Sequence, residues 1–224
     1  MKNIAIIPAR KGSKGLKNKN IIEVNHKPLI EYTIEAALDT LIFNQLIVSS
    51  NDENIKNICI KKYKEIQFQK RPKELCEDLS TPHEVVRYII DQNNLDNEDI
   101  IHYLQPTSPL RNSSHILEAN KLFTDFDKPV VSVTASKELP YKMFEIDDKK
   151  NLKPIFSEEM TNMRRQDLPK TYLANGAIYI FSVKQFNVNN KFPSLSGTPY
   201  IMKNAESYDI DTLEDKIAIE SLIK

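Results

Sequence analysis

Glycine is nearly missing from this chain. There are four in 224 residues, where average usage would give about 16. Two of them, Gly12 and Gly15, share one short loop. Cysteine is scarcer still: Cys59 and Cys76 stand alone at no metal-binding spacing, which excludes a disulfide framework and reads as two buried free thiols. The four histidines, His26, His83, His102 and His115, are scattered, so neither a zinc site nor a Ser/His/Asp signature is visible. No charge is in excess, with 31 basic and 31 acidic residues, which argues against a general nucleic-acid binder. No apolar run approaches the roughly 18 residues of a membrane span. The opening MKNIAIIPARKG is too short in apolar residues for a signal peptide, and a cytoplasmic protein is expected. The length suits one large domain that can bury an adequate core without staples.

Arginine is the other scarcity. Only Arg10, Arg71, Arg87, Arg111, Arg164 and Arg165 interrupt a basic complement that is otherwise lysine. In such a lysine-biased chain each arginine is a pointer to planar, bidentate chemistry.

What is present alternates regularly. Residues 3–8 read as a buried strand, 28–40 as a helix entered through Pro28, 46–48 as a strand and 51–63 as a helix. Residues 66–69 read as a strand. Thr81 and Glu84 form a capping box for a helix from Pro82 to about Asn94. A strand at 100–104, a helix at 113–126 and a strand at 129–134 follow. This β-α-β rhythm predicts an α/β fold with a mostly parallel sheet, whose ligands bind beyond the carboxyl ends of the strands. From about 137 to 170 the rhythm breaks, and a hairpin around Asp147–Lys150 suggests an insert used in dimerisation. Residues 172–181 are strand-like, and 212–223 form a last helix.

Four segments carry candidate chemistry. The loop Pro8–Asn20 follows a strand and is glycine-containing and basic; residues 1–22 hold six basic residues and no acid. Backbone N–H groups at Gly12 and Gly15, with Arg10, Lys14 and Lys19, suit an anion such as a phosphate. Taken alone, it also reads as a solvated basic loop. The second segment, Leu104–Arg111, is stiffened by two prolines and presents Gln105, Thr107, Ser108 and Arg111 to a polar ligand; alone, it is also a rigid turn. In the third, Tyr208-Asp209-Ile210-Asp211-Thr212, an extended 207–211 would put Asp209 and Asp211 on one face, as an Mg²⁺ site completed by a polyphosphate. Asp211 with Glu214 also fits a cap of the last helix. The fourth joins Arg164-Arg165-Gln166-Asp167-Leu168-Pro169 to Asn175-Gly176-Ala177.

Together these motifs, with Arg71-Pro72-x-Glu74-Leu75, resemble the CMP-N-acetylneuraminate (sialic acid) synthetases, or acylneuraminate cytidylyltransferases. They occur in that family's order over nearly the whole chain. Lys11 departs from the pattern, standing where the family often has a further glycine. The resemblance implies a Rossmann-like nucleotidyltransferase fold: a single cytidylyltransferase domain over 1–224 with the dimerisation insert at about 137–170. It implies transfer from CTP to a nonulosonic acid, with Mg²⁺, in a homodimer. It assigns Arg10, Lys14 and Lys19 to the triphosphate and Asp209 and Asp211 to the metal. Ala9, Gly12, Ser13, Gly15, Asn20, Arg71 and Ser80 join the nucleotide site. It places Gln105, Thr107, Ser108 and Arg111 between nucleotide and sugar, and Asn175, Tyr179 and Phe192 in the sugar pocket. Lys142 and Arg165 are expected to reach across the dimer toward the acidic sugar.

Other readings remain at this level. The sugar could be legionaminate, pseudaminate or a 3-deoxy-octulosonate. A nucleotide-binding module without chemistry would be expected to have lost either the basic loop or the acid pair; both are here. A sugar-transferring enzyme would show its Asp-x-Asp in mid-chain rather than near the C-terminus.

Overall fold

The structure is a computed structural model, and it describes residues 1–12, 15–190, 192 and 197–223. In chain order the elements are β1 (Asn3–Pro8), a small hairpin of β2 (Glu23–Val24) and β3 (Lys27–Pro28), α1 (Leu29–Leu38), β4 (Gln45–Ser50), α2 (Glu53–Lys62), β5 (Ile66–Lys70), α3 (Pro82–Gln92), β6 (Ile100–Tyr103), α4 (Ser113–Phe126) and β7 (Val130–Ala135). Then come β8 (Phe144–Ile146), β9 (Leu152–Pro154), α5 (Glu158–Asn162), β10 (Tyr172–Ser182), α6 (Val183–Asn189), β11 (Thr198–Met202) and α7 (Leu213–Leu222).

Seven strands form one sheet in the order β11-β7-β10-β6-β1-β4-β5. All pairings are parallel except those of β10, which runs antiparallel to both β6 and β7. The mostly parallel α/β expectation holds. β1 shows why its sequence is a continuous apolar run. Ile4 and Ile6 face the layer of α3 and α6, with Val86, Ile89 and Phe186, while Ala5 and Ile7 face α1 and α4, with Ile30, Ile34 and Ile116. A strand covered on both sides has no polar face to alternate with.

The sequence reading does not anticipate the β2–β3 hairpin, α5, β11 or α6. β11 contains Pro199, which argues against a strand in a sheet interior. Among the described residues it is an edge strand paired only with β7, where the missing N–H costs nothing. α6 follows β10 directly, announced by a capping box of Ser182 and Gln185. Two local readings are corrected. Pro28 is not inside a helix turn but pairs with Glu23 in the small hairpin and caps α1. Cys76 is half-buried rather than buried, its Sγ donating to the Pro72 carbonyl at 3.1 Å.

The 137–170 segment stands apart as β8, β9 and α5, with the expected turn: the Asp147 carboxylate accepts from the backbone N–H groups of Lys149 and Asn151. Among the described residues no helix is long and apolar enough to cross a membrane.

Candidate active site

β1 lies between β6 and β4. The chain leaves β1 toward one side of the sheet and returns on the other, which opens a crevice at the carboxyl ends of the strands. The loops after β1, β5 and β6 meet there, with the segment before α7, around a cleft of about 420 Å³.

The basic loop forms one wall. Ala9, fully buried, anchors it through an N–H to the Ser49 carbonyl. Asn20 is buried and donates from Nδ2 to the Arg10 carbonyl at 3.0 Å, closing the loop on itself. Arg10 reaches across to the loop after β5, donating to the Cys76 carbonyl and to Asp78, each at 3.0 Å. Arg71 is buried and donates to Ser49 through Nε and Nη2. Burial pulls its pKa below the usual guanidinium value. Ser80 and the N-terminus of α3 complete this side, with Thr81 and Glu84 forming the predicted capping box. Ser13 and Lys14 lie outside the described residues. Gly12 has φ +82°, a left-handed conformation that favours glycine, but it is not among the cleft-lining residues.

The facing wall is the segment before α7. Asp209 is half-buried in the cleft wall, and desolvation raises its carboxyl above the ordinary aspartate value, with Asp211 adding to the rise. A hydrogen bond from the Thr107 side chain opposes the shift, and among the described residues Asp209 Oδ1 has no hydrogen-bond partner. Asp211 is exposed and accepts from Lys19 Nζ at 2.8 Å. The cap of α7 is not Asp211 with Glu214. It is Thr212, whose side chain accepts from Asp215 N–H, while the Asp215 carboxylate accepts from Thr212 N–H. The Asp211 carboxylate is therefore left to the cleft.

A second cavity of about 370 Å³ adjoins the first. Gln105 and Asp209 belong to both walls. Asn175, Gly176 and Tyr179 line the second cavity, as do Thr134, Leu173 and Ser207. The Asn175 side chain is fully engaged. It accepts from Ser132 Oγ at 2.6 Å and donates to Ser207 Oγ at 3.0 Å, tying β10 to the chain that leads to Asp209.

Of the sequence-predicted residues, the first cleft gathers Arg10, Gly15, Lys19, Asn20, Arg71, Ser80, Gln105, Thr107, Asp209 and Asp211. Others fall elsewhere. Ser108 and Arg111 are buried behind their loop rather than lining a cavity. Phe192 packs edge-on against Tyr103 and Tyr179, at 5.0 and 4.8 Å between ring centres, and so supports Tyr179 from behind. Lys142 donates to the Thr161 and Met163 carbonyls inside its own insert. Arg165 is exposed on that insert. The sequence reading missed Tyr103 and Thr134. Tyr103 ends β6 and Thr134 lies in the last turn of β7, so the carboxyl-end rule that located the loops would also have found them.

Two hard carboxylates at the junction, one with a buried oxygen that no described residue hydrogen-bonds, suit Mg²⁺. Among the described residues no group of three or more His, Cys, Asp or Glu converges as a metal cage. The remaining ligands would therefore come from a bound phosphate or water.

Over residues 4–222 the chain matches the cytidylyltransferase family. It is 38% identical to the N-acylneuraminate cytidylyltransferase of Escherichia coli O18:K1:H7 (strain RS218 / NMEC), over 96% of this chain and 50% of that protein. It is 32% identical to the pseudaminic acid cytidylyltransferase of Campylobacter jejuni subsp. jejuni serotype O:2, over 96% of this chain and 93% of that one. The chain thus spans about half the length of the N-acylneuraminate cytidylyltransferases it matches. The structure of CMP:2-keto-3-deoxy-manno-octonic acid synthetase complexed with CTP superposes with a TM-score of 0.70 at 15% identity, covering 100% of this chain and 98% of that one. At that identity the likeness is one of fold.

Proposed function

The chain belongs to the cytidylyltransferase family, and we propose that it joins CTP to an acidic nine-carbon sugar of the nonulosonic class, giving the CMP-sugar and pyrophosphate. The observation that carries this reading is the shared wall. Gln105 and Asp209 face both cavities, so a nucleotide in one and a sugar in the other would meet at the acid pair.

The chemistry follows from the two linings. The larger cleft offers Arg10, Lys19 and Arg71 to a triphosphate. The smaller offers amide and hydroxyl groups with an apolar side at Leu173 and Ala174, which suits a hydroxylated, acylated sugar. The anomeric hydroxyl attacks the α-phosphorus and gives up its proton to water, a new P–O bond forms, and the bond to the β-phosphate oxygen breaks to release pyrophosphate. Such transfer needs mainly positioning and charge neutralisation. Lys14, on the same basic loop, is assigned to the phosphates by its place in the motif. Asp209 and Asp211 would hold Mg²⁺, which when bound would counter the charge developing on the phosphates. Lys19, paired with Asp211 in the free protein, turns toward phosphate as the cleft fills. The sugar is of N-acylneuraminate type or the related pseudaminate, as the names of the two relatives suggest.

The insert is the dimer contact in this reading. Its strands are three residues each, yet Ile146 is 72% and Leu152 66% exposed, with Phe144, Ile155 and Phe156 also exposed. A hairpin this short is not stable alone, and an apolar patch of this kind marks an interface. The partner is a second copy, whose Arg165 would approach the sugar while Lys142 braces the insert that carries it. The reaction is placed in the cytoplasm, where CTP is available.

The test is pyrophosphate release from CTP and Mg²⁺ with N-acetylneuraminate, pseudaminate, a legionaminate and a 3-deoxy-octulosonate. Release with at least one acid is expected. Absence of release with all of them would remove the reading.

A further inference from the structure

Behind the loop that follows β6 sits a charge that the proposed chemistry does not use. Arg111 is 1% exposed. Among the described residues no carboxylate pairs with it, and burial alone drives its pKa down to about 9. Its Nη1 donates to two carbonyl oxygens, that of Gln105 at 3.2 Å and that of Ala177 at 3.1 Å. Among the described residues its Nε and Nη2 have no hydrogen-bond partner. A buried charge without a counter-ion is among the costliest placements a side chain can have. An apolar side chain of similar length would fill the space without that cost. The chain has few arginines, and one of them is here.

The two carbonyls explain the placement. Gln105 is one of the two residues, with Asp209, that line both cavities. Ala177 follows Gly176 at the point where the pairing of β10 with β7 shifts register, between Ala174 and Tyr179. Gly176 has φ +76°, and a Cβ there would stand 2.5 Å from Gln105 Oε1. The same two segments therefore touch twice, side chain against glycine in front and carbonyl to carbonyl through one guanidinium nitrogen behind. Without that nitrogen the link between the two segments is lost: the Gln105 carbonyl keeps only the longer bond from the Thr33 hydroxyl, at 3.4 Å, and the Ala177 carbonyl loses its guanidinium donor.

We propose that Arg111 is a positioning residue that clamps the loop after β6 to the bulge of β10, and so sets the place of Gln105 against Gly176 where the sugar is oriented. The assignment of the effect to the sugar rests on the proposed reaction; the clamp itself does not. Arg111 would touch neither substrate. It would act on the second cavity more than on the triphosphate wall, because Gly176 lines only the second.

The experiment compares Arg111→Met, Arg111→Lys and Gly176→Ala with the parent in the whole protein, by steady-state kinetics and by amide hydrogen exchange. In Arg111→Met the KM for the sugar acid is expected to rise about tenfold or more, the scale on which small misplacements act, while the KM for CTP moves little. Arg111→Lys restores part of the loss, since an ammonium can donate to both carbonyls. Exchange in Arg111→Met quickens at Ala177 and Ile178 while that of β1 and β4 is unchanged. Sugar and CTP constants moving equally, or exchange unchanged at those amides, would overturn the clamp. If Arg111→Met does not fold, Gly176→Ala probes the same contact from the other side. A sugar KM left at the parent value there would overturn it equally. A parent that releases no pyrophosphate with any sugar would sink the proposed reaction instead, and the exchange comparison would still decide the clamp.

Discussion

Gly15 and Asp211 are in contact across almost the whole length of the chain: a Cβ added to Gly15 would stand 2.6 Å from the Asp211 carbonyl oxygen. The basic loop and the acid pair are therefore one packed unit. The scarce glycine is required here by protein backbone. Gly15→Ala is expected to force these segments apart, costing about 1–3 kcal/mol of stability as overpacking does. It should also lower kcat/KM for CTP about tenfold or more by displacing Lys19 and Asp211 together. Thermal unfolding and pyrophosphate release check the two effects; an alanine variant with parental values for both would show that the contact relaxes freely.

The neighbouring pair Lys19–Asp211 separates charge from stability. The bond is 2.8 Å long, but the aspartate side chain is 70% exposed, and exposed pairs contribute about 0–1 kcal/mol. Asp211→Asn should leave the melting temperature nearly unchanged and remove most Mg²⁺-dependent turnover. A large fall in melting temperature with activity retained would return Asp211 to a structural role.

Asp209 predicts the acid limb of the pH profile. Its carboxyl is raised by burial and by Asp211, so the proton competes with a cation at a higher pH than it would at an ordinary aspartate. Activity should fall on acidification before normal carboxylates titrate, and raising Mg²⁺ should move that limb to lower pH, because cation and proton compete for one group. A limb independent of Mg²⁺ would place the titration elsewhere.

The site was legible where chemistry follows backbone position. Loops at the carboxyl ends of β1 and β6 were found from the strand pattern, and Gln105 and Lys19 are where that pattern puts them. It was not legible where one residue type serves two environments. Arg111 in a polar loop reads as a ligand contact, because a sequence does not show which side of the loop a side chain takes. At the last helix, Asp211/Glu214 and Thr212/Asp215 both satisfy the same four-residue spacing, and the one-residue offset is settled by packing of Ile210 and Ile219 into one cluster. β11 was hidden because Pro199 is acceptable only on a sheet edge, and which strand is an edge is a property of the assembled sheet.

The insert predicts association. Ile146→Asp with Leu152→Asp places two charges on side chains that are mostly exposed in one copy, so the isolated fold should keep its melting temperature. If these residues meet a second copy, sedimentation should shift from dimer to monomer. Sugar turnover should then fall as well if the partner's insert completes the site. A protein that is monomeric before the change would remove the dimer from the proposed function.

His102 gives the last expectation, on acid stability. It is fully buried between Phe43 and Asn3, and desolvation pushes its pKa from 6.5 down to about 3. The folded pKa lies below the unfolded one, so the unfolded chain binds the extra proton across this interval. The histidine's contribution to stability is complete above pH 6.5 and is lost as pH falls toward 3. One such proton steepens the loss by about 1.4 kcal/mol per pH unit. In His102→Gln, which keeps a donor toward Asn3 without a titrating ring, denaturant unfolding should show a slope smaller by that amount between these limits. The variant should be less stable at neutral pH because the edge contact with Phe43, 4.9 Å between ring centres, is gone. An unchanged slope would mean that His102 takes up its proton in the folded protein, which its burial in the β6 core opposes.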